Sequence, residues 1–270
     1  MAKVLNTRPA GQIQDLSRLL TEAGFESVEI PLVEILPIAE GIRKILRLRP
    51  SGYTGIFLSS PNGLRQMQAG LDSDIEPWML KPFYLVGDKS KPYIESLGGR
   101  VAFYPREASV DGFLKEYPLQ IEESAGPRGM VFARRWLHPC SAATHLDPTA
   151  FRKCGVEVDN IAVYRPVLPE GAAKQIAMVA QGISAVLFAS GSAVDHFFKA
   201  APALAATLGL PQGPIAVSIG PSTSKALIEH GIEKYEEAES ADNKGLVEAL
   251  KSGFGLTETK ALKKNAEGKI

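Results

Sequence analysis

An internal duplication, whose parts recur in a changed order, constrains the fold of this chain more than any other feature of the sequence. Four pairs of turn residues are spaced by 131 or 133 positions: Gly24 and Gly155, Ser59 and Ser190, Gly87 and Gly220, and Ser90 and Thr223. Chance could match one pair of glycines, but four nearly equal spacings in different segments indicate duplication. We therefore expect two halves with similar folds.

Each half contains the same three kinds of segment. A strand, a helix and a second strand are predicted in "KVLNTRP", residues 12–23 and "SVEIPLVEI", and again in "GMVFARR", residues 147–154 and "VEVDNIAVYRPV". A strand with a serine-rich turn and a helix is predicted in "GIFLSSPNGLRQM" and "AVLFASGSAVDHFF", and a strand with a glycine turn in "FYLVGDKSKPYIESLGG" and "IAVSIGPSTSKALIEHG". Strands that alternate with helices indicate parallel sheets covered on both faces, so we predict two small doubly wound α/β domains.

The order of these segments predicts that the chain crosses twice between the domains. The extended runs "VEIPLVEILPI" and "NIAVYRPVLPEG" both contain proline, which suits edge strands or linkers better than central strands. We expect a discontinuous domain at residues 1–33 with 169–255 and a continuous domain at 37–165. The connector segments are expected at 34–36 and 166–168, and a disordered tail at 256–270. A cleft between two such domains is the expected ligand site.

The composition is that of a globular protein without strong attraction to polyanions. Hydrophobic residues make up 45% of the 270 residues, and 30 basic residues balance 30 acidic ones. A net charge of zero argues against nucleic acid or an anionic membrane as a partner. The first residues lack the apolar core of a secretory signal, no apolar run approaches the ~20 residues of a membrane span, and Cys140 and Cys154 do not suggest a disulfide framework. We therefore expect a cytoplasmic monomer with free thiols.

The segment "SIGPSTSKALIEHG" has the pattern of an anion-binding turn. An apolar strand ends at Gly220, and a helix follows, whose first N–H groups have no partner within the helix. Ser222, Thr223 and Ser224 add hydroxyl groups at the same helix start. We interpret these four residues as ligand contacts.

Other turns at the ends of predicted strands carry similar side chains, and ligands of open α/β sheets bind beyond the carboxyl ends of strands. The further candidate contacts are Thr7, Arg8, Ser59, Ser60, Asn62, Gly87, Lys89, Ser90, Arg134, Ser190 and Ser192. The serine turns could also serve as helix caps, Lys89 could be a solvated surface residue, and Arg8 could tie the chain to the connector. Arg134 and Arg135 end the predicted strand "GMVFARR", where one of them should face the ligand.

Six motifs occur in order along residues 3–232: "NTRPAGQ", "FLSSPNGL", "LVGDKS", "CGVEVDNIAVYRPV", "LFASGSAV" and "SIGPSTSKAL". Together they resemble the uroporphyrinogen-III synthase family. The resemblance implies two flavodoxin-like domains joined by a two-stranded connector, and an enzyme without a cofactor that acts on hydroxymethylbilane. Three features depart from the family pattern: the long segment "RRWLHPCSAATHLDP", Gly191 where proline is common, and Ser90 in place of threonine.

The resemblance also implies a mechanism. The linear tetrapyrrole loses its terminal hydroxyl, the last ring attacks through its substituted carbon, and a spirocyclic intermediate rearranges to uroporphyrinogen III with that ring inverted. Tyr164 would lie at the cleft and assist the departing hydroxyl by donating a hydrogen bond or a proton; the alternative is a tyrosine that covers the connector. The enzyme that makes hydroxymethylbilane is a possible transient partner.

Other chemistries fit the sequence less well. "GPSTSK" lacks the Walker A spacing and no G-x-G-x-x-G follows the first strand, so a nucleotide is not expected. His138, Cys140, His145 and Asp147 carry metal-binding atoms, but their spacing matches no zinc template, so no metal is expected. The rival functions are a non-catalytic two-domain protein that binds a tetrapyrrole or another anionic small molecule, a family member without turnover, and a nucleotide-dependent α/β enzyme.

Overall fold

The computed structural model describes residues 1–124, 134–144 and 146–256, so the expected tail at 256–270 lies outside the described residues except for Leu256. The strands are β1 (Lys3–Asn6), β2 (Glu26–Glu29), β3 (Glu34–Pro37), β4 (Gly55–Leu58), β5 (Pro82–Leu85), β6 (Arg100–Phe103), β7 (Arg134–Ser141), β8 (Val156–Val167), β9 (Ile183–Phe188), β10 (Ile215–Ser218) and β11 (Glu236–Glu237). The α-helices are α1 (Ile13–Glu22), α2 (Ala39–Leu46), α3 (Pro61–Leu71), α4 (Glu76–Met79), α5 (Lys91–Ser96), α6 (Val110–Ser124), α7 (Pro148–Arg152), α8 (Ala172–Val179), α9 (Gly191–Ala200), α10 (Pro202–Ala205), α11 (Pro221–Glu229) and α12 (Asn243–Gly253). Among the described helices, none is both long and apolar enough to cross a membrane.

The chain divides into two compact units, each with its own sheet. The first unit contains Met1–Glu34 and the residues from Val167 onward, and the second contains Ile35–Pro166. The strand order is β11-β10-β9-β1-β2 in the first sheet and β3-β8-β7-β4-β5-β6 in the second. The pairs with a defined register are parallel throughout. The predicted fold class, two doubly wound parallel-sheet α/β units, is therefore confirmed.

The two sheets repeat one arrangement, as the spacing of the turns predicted. Without β3, the order β8-β7-β4-β5-β6 corresponds to β2-β1-β9-β10-β11. Leu5 on β1 pairs with Val186 on β9, and Trp136 on β7 pairs with Gly55 on β4. Leu5 and Trp136 are 131 positions apart (5 to 136), as are Gly55 and Val186 (55 to 186). The register of these central strands is thus the same in both units, although the chain enters the second sheet at a different strand.

Glycines bring two helices close to the second sheet. A Cβ atom at Gly63 in α3 would lie 2.0 Å from the carbonyl oxygen of Pro139 on β7. A Cβ atom at Gly41 in α2 would lie 1.9 Å from the carbonyl oxygen of Ala162 on β8. Real Cβ contacts are never this short, so both helices can approach the strands only because these residues lack a side chain.

The second sheet has an apolar core on each face. Leu58 belongs to a core with Leu64 and Leu85, whereas Phe57 packs against Phe113 and Trp136 in the other. Successive side chains of a strand point to opposite faces of the sheet, which explains why neighbouring residues of β4 enter different cores. The same alternation continues into the turn that follows β4.

Candidate active site

The turn after β4 directs two serines towards different partners. In a parallel sheet the carboxyl ends of the strands lie along one edge, where side chains from several strands meet. Ser59 and Ser60 follow the last residue of β4 at this edge. Ser59 contacts His138, which lies against the ring of Phe57, and Ser60 interacts with Tyr164, which shares a core with Leu58. The edge therefore carries two separate polar groups.

Tyr164 is a buried phenol whose exposed fraction is 6%. Burial is the largest influence on the pKa of Tyr164 and raises it, a hydrogen bond with the Ser60 side chain lowers it, and the proximity of Cys140 raises it. The net effect is a raised pKa, so Tyr164 keeps its proton at neutral pH and can act as a donor. Ser60 also caps α3, because its Oγ accepts a hydrogen bond of 3.3 Å from the backbone N–H of Asn62.

Ser59 belongs to a chain of three polar side chains. Its Oγ lies 2.9 Å from Nε2 of His138, and Nδ1 of His138 lies 2.7 Å from Oδ1 of Asn160. His138 is fully buried, and burial lowers its pKa to about 4, opposed by the hydrogen bond with Asn160. The imidazole is therefore neutral at physiological pH.

The turn after β5 holds a buried hydroxyl beside an exposed lysine. Gly87 has an extended backbone, with φ −168°, and an added Cβ atom would lie 2.9 Å from that of Ala108. Ser90 is buried at the start of α5, and Lys89 is exposed. Of the three candidate residues in this turn, Lys89 offers an exposed charged group to a ligand.

The prediction that Arg134 lies at the carboxyl end of a strand is wrong. β7 begins at Arg134, which pairs with Val156, the first residue of β8, so Arg134 lies at the amino ends of these strands. Nη1 of Arg134 donates a hydrogen bond of 2.5 Å to the hydroxyl of Tyr117. The neighbouring Arg135 pairs with the carboxylate of Asp159 at 2.8 Å. We therefore leave Arg134 out of the proposed site.

His138, which the sequence analysis considered only as a metal ligand, is a candidate site residue through its contact with Ser59. The segment that contains it was expected to depart from the family pattern and to follow the end of a strand at Arg135, but residues 134–141 form β7. The spacing of 131 positions makes His138 the equivalent of Thr7 in the repeat. Each of the two residues comes just after the part of its strand that pairs with the neighbouring strand, β9 for Thr7 and β4 for His138. Applying that spacing to "NTRP" would have aligned it with "LHPC" and identified His138.

In the first unit, Thr7 and Arg8 follow β1. Thr7 is buried, and its hydroxyl donates a hydrogen bond of 2.6 Å to the carbonyl oxygen of Leu187. Arg8 is half-buried, and its Nη1 donates to Oε1 of Gln12 at 3.0 Å, whereas its Nε is buried with no hydrogen-bond partner among the described residues. Burial lowers the pKa of Arg8, and Asp15 and then Asp242 raise it. The half-buried guanidinium stays charged and remains a candidate donor to a carboxylate.

The turns after β9 and β10 start two helices. The Oγ of Ser190 caps α9 by accepting a hydrogen bond of 3.2 Å from the N–H of Ala193, and Ser192 is half-buried in its first turn. Gly220 has φ 156° and ψ −179°, a conformation that side chains disfavour, immediately before α11. A glycine at this position thus allows the chain to turn into the helix.

The three hydroxyl residues of α11 have different surroundings. Ser222 is exposed, whereas Thr223 and Ser224 are buried. The Oγ of Ser224 lies 2.6 Å from that of Ser218 and donates to the carboxylate of Glu237. Ser222 is thus the hydroxyl of this turn that a ligand can reach without rearrangement.

The residues considered for zinc have other partners. His138 contacts Ser59 and Asn160, and Oδ1 of Asp147 accepts a hydrogen bond of 2.8 Å from the N–H of Thr149 at the start of α7. Burial raises the pKa of Cys140 to about 11, so its thiol stays protonated. His145 lies outside the described residues, and within them no three histidine, cysteine or acidic side chains are grouped for a metal ion.

Comparison with known proteins identifies the family. The family model described as Uroporphyrinogen-III synthase HemD matches residues 14–248, which is most of the chain. The chain belongs to the uroporphyrinogen-III synthase family. A uroporphyrinogen-III synthase from Synechococcus elongatus is 25% identical over 236 residues, which cover 82% of this chain and 83% of that protein. The expected resemblance to uroporphyrinogen-III synthases is therefore confirmed.

Solved structures of uroporphyrinogen-III synthases share the fold. A mutant of the Thermus thermophilus enzyme matches with a TM-score of 0.62 and 14% identity, over 95% of this chain and all of that chain. The Helicobacter pylori protein matches with a TM-score of 0.60 and 16% identity over the same shares. At these identities the likeness supports the architecture alone.

Proposed function

We propose that this protein is a uroporphyrinogen-III synthase, a lyase of tetrapyrrole biosynthesis. Its substrate is hydroxymethylbilane, which it cyclises with loss of water to uroporphyrinogen III. The last pyrrole ring is inverted through a spirocyclic intermediate. The family match over residues 14–248 carries this proposal, and it does not favour the alternative of a non-catalytic binding protein.

We assign Tyr164 to the departure of the hydroxyl. Its phenol is protonated at neutral pH, so it donates a hydrogen bond or a proton to the leaving oxygen as the carbon–oxygen bond breaks. The resulting azafulvene is attacked by the substituted carbon of the last ring. Ser60, which hydrogen-bonds Tyr164, orients the phenol.

The acetate and propionate arms of the substrate need donors, and each unit offers them at the carboxyl edge of its sheet. The helices α3, α9 and α11 begin there, and their first N–H groups favour anions. Ser222 and the half-buried guanidinium of Arg8 add side-chain donors in the first unit, and Lys89 adds a charge in the second. We also propose that residues 34–36 and 166–168 connect domains formed by 1–33 with 169–255 and by 37–165.

Most of the catalytic effect comes from orientation. The azafulvene can close spontaneously through the unsubstituted carbon of the last ring, which gives the type I isomer. The protein has to hold the two end rings so that the substituted carbon attacks instead, and positioning of reacting groups can supply several kcal/mol, about 7–11 in favourable cases. A site with few acids and bases suits this task.

The experiment that tests the function is an isomer analysis. Purified protein is mixed with freshly generated hydroxymethylbilane, and the oxidised products are separated into type I and type III. We expect type III product to form faster than the spontaneous closure measured without protein. Formation of type I alone, at the spontaneous rate, would contradict the proposal.

A further inference from the structure

Ser59, His138 and Asn160 form a hydrogen-bonded chain that crosses three adjacent strands of the second sheet. Ser59 follows β4, His138 lies on the neighbouring β7, and Asn160 lies opposite His138 on β8. The distances are 2.9 Å from Ser59 Oγ to His138 Nε2 and 2.7 Å from His138 Nδ1 to Asn160 Oδ1. His138 is fully buried, whereas Ser59 is exposed at the edge of the sheet. A buried side chain therefore controls an exposed hydroxyl.

The position of each proton follows from Asn160. Its Nδ2 donates a hydrogen bond of 3.4 Å to the carbonyl oxygen of Leu146, which turns Oδ1 towards His138. A carbonyl oxygen only accepts, so Nδ1 of His138 carries the ring proton. In a neutral imidazole Nε2 then has a lone pair, and the hydroxyl of Ser59 must donate its proton to it.

The surroundings of His138 hold it in this state. His138 packs against the ring of Phe57 on β4, with ring centroids 5.1 Å apart. The helices α6 and α7 add apolar rings to the same face of the sheet. Asp159, the acidic neighbour on β8, accepts hydrogen bonds from Tyr53 and Arg135. The thiol of Cys140 on β7 is protonated at neutral pH, since burial raises its pKa to about 11. Among the described residues, two influences thus set the pKa of His138: burial, which lowers it, and the hydrogen bond with Asn160, which raises it.

We propose that His138 and Asn160 are positioning residues that make Ser59 a hydrogen-bond acceptor for a pyrrole N–H of the substrate. With its proton donated to His138, Ser59 presents only oxygen lone pairs to a ligand. A carboxylate also presents only lone pairs, whereas a pyrrole N–H is a donor that fits. The proposal rests on the proposed function, and it specifies the ligand contact expected of Ser59 as one with a hydrogen-bond donor rather than with an anion.

The tautomer of His138 can be measured without substrate. Protein labelled with ¹⁵N at its four histidines is studied by NMR near neutral pH, and the His138 signals are assigned by their loss in His138→Gln. We expect His138 to show a protonated Nδ1 and an unprotonated Nε2. A protonated Nε2 would overturn the proposal, because Ser59 could then turn its own proton towards the ligand. This result does not depend on whether the protein is a synthase.

The kinetic test uses Asn160→Asp. The new carboxylate next to Nδ1 stabilises the imidazolium and so raises the pKa of His138 towards neutrality. When His138 is protonated, both ring nitrogens donate, so Ser59 has to accept from Nε2 and turns its hydroxyl proton outward. We expect the KM of this variant for hydroxymethylbilane to rise about tenfold as the pH falls from about 8 to 6, with little change in kcat. The KM of the wild type should stay nearly flat, since its His138 stays neutral in this range.

Three controls separate this effect from a general loss of structure. Asn243→Asp adds the same charge at the start of α12 in the other unit and should not create the pH dependence. Ser59→Ala should raise the KM at pH 8, and combined with Asn160→Asp it should remove most of the rise at low pH. Asn160→Asp is also made with His145→Gln, and the rise should persist because His138 causes it.

The outcomes distinguish the two proposals. If Asn160→Asp is folded by circular dichroism and its KM follows the wild-type pH profile, the positioning role is wrong while the synthase function stands. If the wild type forms no type III isomer, the proposed function fails, and the substrate contact assigned to Ser59 fails with it.

Discussion

Tyr164 and Tyr53 are both buried tyrosines of the second unit, but their hydroxyl groups have different partners. The hydroxyl of Tyr53 donates a hydrogen bond of 2.5 Å to Asp159, which also pairs with Arg135. Tyr164 interacts with Ser60 at the strand edge. We expect Tyr164→Phe to lower kcat about tenfold, because the transition state loses one hydrogen bond of about 1.4 kcal/mol.

Tyr53→Phe is the matched control for this prediction. It removes the same atom from the same unit but breaks a structural contact, so we expect the free energy of unfolding to fall by about 1–3 kcal/mol with kcat unchanged. Steady-state kinetics and thermal unfolding of both variants check the pair. An unchanged kcat in Tyr164→Phe would exclude Tyr164 from the mechanism.

Ser222 and Ser224 lie two positions apart in α11 and should differ in what they support. Ser224→Ala breaks a buried hydrogen-bonded chain with Ser218 and Glu237, so we expect a loss of about 1–3 kcal/mol in stability. Ser222→Ala removes an exposed hydroxyl, and we expect a KM a few times higher, about 0.5–1.5 kcal/mol of binding, at unchanged stability. Urea unfolding and initial-rate kinetics measure both effects. The opposite pattern would mean that Ser224 is the ligand contact.

At the scale of elements, the approach of α3 to β7 depends on a missing side chain. Gly63→Ala places a Cβ atom 2.0 Å from the carbonyl oxygen of Pro139, which is backbone and cannot move independently. We expect this variant to lose about 1–3 kcal/mol of stability despite the better helix propensity of alanine. Gly191→Ala in the first turn of α9 is the control, because its Cβ atom would lie 3.4 Å from that of Ala226, which is an ordinary contact distance. Equal melting temperatures for the two variants would contradict this account.

At the scale of the whole molecule, the pH dependence of stability should carry the signature of one buried histidine. The pKa of His138 is lowered from 6.5 to about 4, so the folded second unit binds this proton less readily than the unfolded chain. Its contribution to stability is complete above pH 6.5 and is lost as the pH falls towards 4, by about 3 kcal/mol. Both tryptophans, Trp78 and Trp136, are buried in this unit, so fluorescence-monitored urea unfolding reports on it.

The His138→Gln variant provides the comparison for that measurement. It removes the titrating group, so we expect a lower stability at pH 7 but a weaker decline between pH 6.5 and 4 than in the wild type. Carboxylates that titrate in the same range contribute equally to both proteins. Parallel declines in the two proteins would show that His138 is not a source of the acid sensitivity.

The sequence alone determined the architecture and the family. The spacing between Gly24 and Gly155, and between Ser59 and Ser190, indicated two similar halves, because turns with special backbone requirements keep their residue types. Alternating strand and helix patterns indicated parallel sheets, and the order of the motifs indicated the uroporphyrinogen-III synthase family. These inferences depend on local periodicity and turn chemistry, which a sequence carries directly.

The tertiary structure alone decided which of the polar residues act together. "RRWLHPCS" contains two arginines and a proline, and the strand predicted before it was expected to end at these arginines. In the structure this segment forms β7, which lies between β8 and β4 in the sheet. β7 pairs with β4 through Trp136 and Leu137, so the missing N–H of Pro139 falls beyond that ladder. Whether a proline or a histidine is tolerated in a strand depends on contacts with residues far away in the chain. For the same reason, the pairing of Ser59 with His138, 79 positions apart, became evident only when β4 and β7 were placed side by side.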